Sequence, residues 1–153
     1  MRCATIVLIP LLFWACGGED ASGPSPDFPR TFTARSTNCS SDTSVSIADP
    51  GRIIEDRWMT TVEVSSDRYF AGEAVIVHSL LIGPDGGIVD EARSGVHSPT
   101  AFEGTWSVDI SAPTNGHLQA AGTGTGDLAE RVIEFIMQPL PGGCGYTSTG
   151  TIR

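Results

Sequence analysis

The stretch Ala74-Val-Ile-Val-His-Ser-Leu-Leu-Ile82, Gly83-Pro-Asp-Gly-Gly87, Ile88-Val-Asp-Glu-Ala92 decides the fold class. The first nine residues are apolar on both faces, as a strand covered on both sides is. Pro84 and the glycines after it supply the dihedrals of a tight turn. The chain then returns through Ile88 to Ala92, so 74–92 reads as a β-hairpin.

Working outward, the same two-residue period recurs. Trp58-Met-Thr-Thr-Val-Glu-Val64 places Trp58, Thr60, Val62 and Val64 on one face. Thr105-Trp-Ser-Val-Asp-Ile110 sends Trp106, Val108 and Ile110 one way and polar residues the other. Asn115-Gly116 is a favoured type I′ hairpin pair, returning through 117–121. Ile133, Phe135 and Met137 alternate in 131–137, and 146–152 reads as the last strand. At the other end, 31–36 is the first strand, 38–44 is turn-rich and 45–47 is a short strand. Gly95 to Gly104 reads as a long loop, and Gly122 to Gly126 as a flexible one. No long 3.6-residue period follows residue 20, so the body is all-β with seven to nine short strands.

Two architectures fit that count. Tyr69-Phe-Ala-Gly-Glu-Ala-Val-Ile-Val, followed by Gly83-Pro-Asp-Gly-Gly-Ile-Val, is similar to the early strands of bacterial immunoglobulin-like modules. Gly104-Thr-Trp-Ser-Val-Asp-Ile110 resembles a late strand of the same modules. The resemblance implies a single antiparallel β-sandwich filled by Trp58, Ile76, Leu80, Trp106 and Phe135, with no cavity. The alternative is a small calycin-like meander barrel, in which a Gly-x-Trp also occurs and which has an interior pocket.

The beginning of the chain carries a separate message. Arg2 is the one charge before Glu19, and Ala4 to Ala15 is an apolar run interrupted by Pro10. A short positive start and about 7–15 apolar residues match a secretory signal; a spanning helix needs about 20. Leu12-Phe-Trp-Ala-Cys16 resembles the lipobox of bacterial lipoproteins. The resemblance implies cleavage after Ala15, a signal peptide over 1–15 and lipidation of Cys16. It also implies an envelope location, with the outer membrane favoured because Gly17 is not an aspartate. Residues 16–29, rich in Gly, Pro and acids, then read as a flexible tether, and 30–153 as the domain.

Cys3 falls in the signal and Cys16 is the lipid site, which leaves Cys39 and Cys144. In an oxidising compartment two remaining thiols form one disulfide. No C-x-x-C spacing suggests a redox or metal pair.

Charge and motifs bound the function. Nine arginines and no lysine face eighteen acids, a formal net charge of −9. Such a surface repels phosphate backbones, which argues against nucleic-acid binding, and against docking on anionic headgroups by charge. No nucleophile elbow, zinc helix or phosphate loop is present. Gly122-Thr-Gly-Thr-Gly126 lacks the spacing of a nucleotide loop. His78 interrupts an apolar strand, His97 falls in a loop and His117 follows a turn; no zinc site is expected from them. Asp85, Asp90, Glu91 and Glu103 read as solvated surface, without calcium-loop spacing. Of the adjacent aromatics Tyr69 and Phe70, one is expected in the core. The expectation is therefore no catalysis, no metal and no cofactor. The chain reads as a lipid-anchored binding or structural module of the envelope or, alternatively, a small barrel carrying an apolar ligand.

Overall fold

The computed structural model describes residues 28–49 and 52–153; the signal, the lipidation site Cys16 and nearly all of the tether lie outside them. Eight antiparallel strands run in sequence order: β1 (Arg30–Asp49), β2 (Arg52–Ser65), β3 (Gly72–Ile82), β4 (Ile88–Pro99), β5 (Trp106–Ile110), β6 (Leu118–Gly124), β7 (Val132–Pro139) and β8 (Tyr146–Ile152). Each strand pairs with the next, and β1 pairs with β8, so the sheet is a closed meander barrel. The β-sandwich expectation is corrected and the barrel alternative holds.

Closure is a matter of the seam. Arg30 to Arg35 pair in register with Ile152 to Thr147, which uses the first and last strands as neighbours and leaves no edge there. Gly150 makes the seam close: it sits between Phe32 and Phe135 as their cross-strand partner. A Cβ at that position would stand 2.4 Å from the Phe135 Cβ and 2.8 Å from the Phe32 ring. Two-residue alternation and short turns are common to sandwiches and barrels, so they do not distinguish the two.

The 74–92 hairpin is β3 and β4, and the last strand falls where the period places it. Asn115 and Gly116 both have positive φ, 53° and 78°, as a type I′ turn requires. Other expectations change. Residues 38–44 are not a turn: β1 runs on to Asp49, with a register shift between Thr37 and Ser40 and Asn38 at φ 48°. Gly122–Gly124 belongs to β6, and of the expected loop from Gly95 to Gly104 the first part, Gly95–Pro99, is the second half of β4, while 100–104 does lie outside the strands. Asparagine, aspartate and glycine lower strand propensity, but cross-strand pairing outweighs local preference.

Eight strands leave an interior that side chains can fill. Phe32, Trp106, Leu128, Ile133 and Ile152 are buried in it, with Phe135, Val108, Ile110 and Met137. The end where the chain enters and leaves is sealed. The turn after β2 folds inward, burying both Tyr69 and Phe70; alternation does not govern a turn, so both aromatics are inside. Trp106 Nε1 donates to the Tyr69 carbonyl at 2.8 Å. Phe102 stacks on Tyr69, and Phe32 stacks on Phe70. Asp67 accepts from Arg30 Nε at 2.7 Å and from the Tyr69 amide at 2.9 Å.

The opposite end is drawn out. β1 pairs with β8 only over Arg30–Arg35, and β4 with β5 only over Ser94–His97. Beyond those points β1–β4 are bonded only to one another, forming a four-stranded projection that continues the inner wall. Its tip carries a cross-strand row of isoleucines, Ile47–Ile53–Ile82–Ile88. Leu80 is buried within this projection, outside the main core cluster. Trp58 is not in the core: it is half-buried on the outer wall, opposite Val77 and Asp42. Ile76 is half-buried and packs against the core from the mouth. Cys39 and Cys144 form the expected disulfide, with Cα atoms 5.9 Å apart. It ties β1, where it leaves the seam, to the loop before β8. Such a bond stabilises by about 2–4 kcal/mol, chiefly by restricting the unfolded chain.

A candidate binding pocket at the open end of the barrel

Strand β2 carries its apolar residues on the wrong side for a core. Trp58, Thr60, Val62 and Val64 do share a face, but it is the outer one, and Val64 is exposed. The inner face therefore presents Met59, Thr61 and Glu63. Register explains the inversion. Glu63 stands opposite Ser36 on β1, and Thr61 opposite Ala74 on β3. Shifting β2 by one residue would turn Val62 and Val64 inward, but would put the Glu63 carboxyl on the outer wall.

Glu63 is 7% exposed and is held from one side only. Ser36 Oγ donates to its Oε1 at 2.6 Å, and Thr61 Oγ1 donates to the same oxygen at 2.7 Å. Ser36 in turn accepts the Tyr146 amide at 3.0 Å, so its own proton is committed to Glu63. Oε2 has no hydrogen-bond partner among the described residues. A buried polar atom left unmatched costs about 1–3 kcal/mol, more for a charged one.

His97, on β4, is the second such group. Sequence reasoning put it in a loop; it is a strand residue paired with Ala74 and Trp106, so its ring points inward with theirs. It is 3% exposed and stacks on Phe70, ring centroids 4.3 Å apart. Neither ring nitrogen has a hydrogen-bond partner of good geometry among the described residues. Burial lowers its pKa from 6.5 to about 4, against a smaller upward pull from the Phe70 backbone. At neutral pH the ring is uncharged, with one donor and one acceptor nitrogen.

Both groups line one pocket. Its walls are otherwise apolar, with Phe70, Ile76, Val108, Ile110, Phe135 and Met137 prominent, and Tyr146 and Ser148 complete it on β8. Gly95 keeps it open on β4, since a Cβ there would stand 3.0 Å from Val108 Cγ2. The cavity volume is about 20 Å³, room for one water-sized group and far too little for a fatty chain. Arg93 reaches the mouth: burial raises the Tyr146 phenol above its ordinary pKa, and the Arg93 charge pulls it back. Arg93 is itself paired with Glu91 at 3.1 Å, and Glu91 lies 3.3 Å from His78 Nε2. Glu55 and Arg57 form a further ion pair on the same face of the projection.

The remaining candidates do not converge. His78 belongs to the mouth cluster, whereas His117 closes the turn before β6, bridged to Thr114, half-buried and with its Nδ1 unmatched among the described residues. Asp85 caps its own turn through the Gly87 amide, Asp90 bonds the amide next to it, and Glu103 lies at the sealed end, where Asp127 accepts its amide. No cluster of three potential metal ligands occurs among the described residues. Nor is any described helix long and apolar enough to cross a membrane. Nothing in the sequence marks Glu63: it falls on the face of 58–64 opposite Trp58, Thr60, Val62 and Val64, where a solvated acid is the ordinary expectation. The chain matches no protein-family model, no curated protein and no solved structure.

Proposed function

We propose that the protein is a non-catalytic binding module of the cell envelope, anchored through lipidated Cys16, with the open end of its barrel as the binding site. The observation that carries the reading is the set of unmatched polar atoms on Glu63 and His97, buried in a pocket that is otherwise apolar. Pockets of that composition, apolar with a few convergent polar groups at a barrel mouth, are where small molecules bind. The polarity of the barrel agrees with the anchor. Chain entry at Phe28–Arg30 is at the sealed end, beside Ile152, so a tether attached there leaves the mouth and the β1–β4 projection facing away from the membrane.

The closed barrel favours a ligand carrier over a purely structural module, but its small cavity limits what is carried. Only a polar head enters; the rest of the ligand lies at the mouth, over Ile76, Ile110 and Met137. The test is to purify the protein from envelopes, denature it and identify what is released by mass spectrometry, with the intact mass of the mature chain measured in parallel. Stoichiometric release of one small molecule, and a chain beginning at a lipidated Cys16, are expected. Ligand-free protein that binds nothing would sink the binding reading, and a mature chain starting elsewhere the anchor.

A further inference from the structure

The pocket's chemistry narrows the class of ligand, an inference that rests on the binding reading above. Among the described residues that line it, Glu63 is the one with a formal charge, and no arginine lines it. Its Oε1 is saturated by two hydroxyl donors, and Oε2, on a residue that lines the cavity, is buried without a donor. An incoming carboxylate or phosphate would meet a like charge with no cation to offset it, which is strongly unfavourable in an apolar surround. A head that donates hydrogen bonds and carries positive charge meets the opposite case. The neutral His97 ring adds an acceptor nitrogen, and Phe70, Phe135 and Tyr146 present aromatic surface, which attracts cations. Size agrees: the cavity of about 20 Å³ suits a group the size of water, as an ammonium is. Arg93 at the mouth does not oppose this, because Glu91 pairs with it.

We infer that the site takes the ammonium head of a small organic amine with an apolar body, the nitrogen bonded to Glu63 Oε2 and His97 and the body resting at the barrel mouth. Glu63 is the specificity-determining residue, and the Ser36 and Thr61 hydroxyls are its positioning partners.

The experiment is calorimetric titration of the full-length protein with butylammonium chloride, butanol and sodium butyrate at matched ionic strength. Saturable one-to-one binding of butylammonium, with the alcohol and the acid at least about tenfold weaker, is expected. Glu63→Gln should remove that preference. Ile76→Trp, which fills the half-buried rim without touching Glu63, should weaken all binding. If Glu63→Gln does not fold, the probe series on the unaltered protein and Ile76→Trp decide the matter. Equal or tighter binding of butanol or butyrate overturns the ammonium assignment and leaves the pocket as a binding site. No binding of any of the three probes overturns both.

Discussion

The two ends of this barrel are built on opposite terms. At the sealed end aromatic rings stack on one another, and the polar groups inside find partners: Trp106 Nε1 on a carbonyl, Asp67 on an arginine and an amide. Towards the open end, Glu63 and His97, the latter the cross-strand partner of Trp106, keep three buried polar atoms unmatched, and His117 Nδ1 is a fourth outside the pocket. Folding alone favours the first arrangement, since apolar replacements at Glu63 and His97 would remove the penalty. The difference teaches that stability is concentrated where the chain enters and leaves, and that the mouth is kept polar at a cost to stability. Groups that violate the packing rules amid otherwise consistent structure mark functional positions.

The sharpest way to break the comparison is at the sealed end. Trp106→Ala removes a fully buried ring and its hydrogen bond, and a loss of about 3–5 kcal/mol is expected in denaturant unfolding. A loss below about 1 kcal/mol would mean that this end is not where stability resides. Replacing Cys39 and Cys144 together by serine should cost about 2–4 kcal/mol. Because the bond lies on the open side, amide exchange should quicken first in β1 beyond Thr37 and in the loop before β8. Uniform quickening would count against two independently stabilised ends.

The third effect depends on pH. His97 is held neutral, with its pKa at about 4 against 6.5 unfolded. Between those values the unfolded chain binds more protons than the folded one, so stability is complete above about pH 6.5 and falls as pH drops towards 4. The fall attributable to this ring is up to roughly 3 kcal/mol, and it levels off below the folded pKa. Melting curves of His97→Phe should lack that component; an unchanged pH dependence would show that other groups cause it. The smallest effect is expected for Glu63→Leu. Losing an unmatched oxygen offsets the hydroxyl bonds forfeited by Ser36 and Thr61, so stability should stay within about 1 kcal/mol of the parent. A loss of 3 kcal/mol would assign Glu63 to the structural framework rather than to the pocket.

The strands themselves were legible. The 74–92 hairpin, the Trp106–Val108–Ile110 and Ile133–Phe135–Met137 faces and the Asn115-Gly116 turn all follow from period and turn chemistry. Pairing of Cys39 with Cys144 followed from counting thiols. The pocket was not legible. His97 lies in a stretch with Gly95, Ser98 and Pro99, which reads locally as a loop. Trp58 and its β-branched neighbours look like a core face and are the outer one.

The sequence by itself therefore determined the all-β class, most strand positions and the disulfide, because alternation, turn dihedrals and thiol pairing are set by nearby residues or by simple counting. Tertiary structure alone decided sandwich against barrel and which face of β2 looks inward. Both depend on register between strands distant in the chain, Arg30 against Ile152 and Ser36 against Glu63. A slip of one residue in either pairing reverses inside and outside while leaving every local preference satisfied.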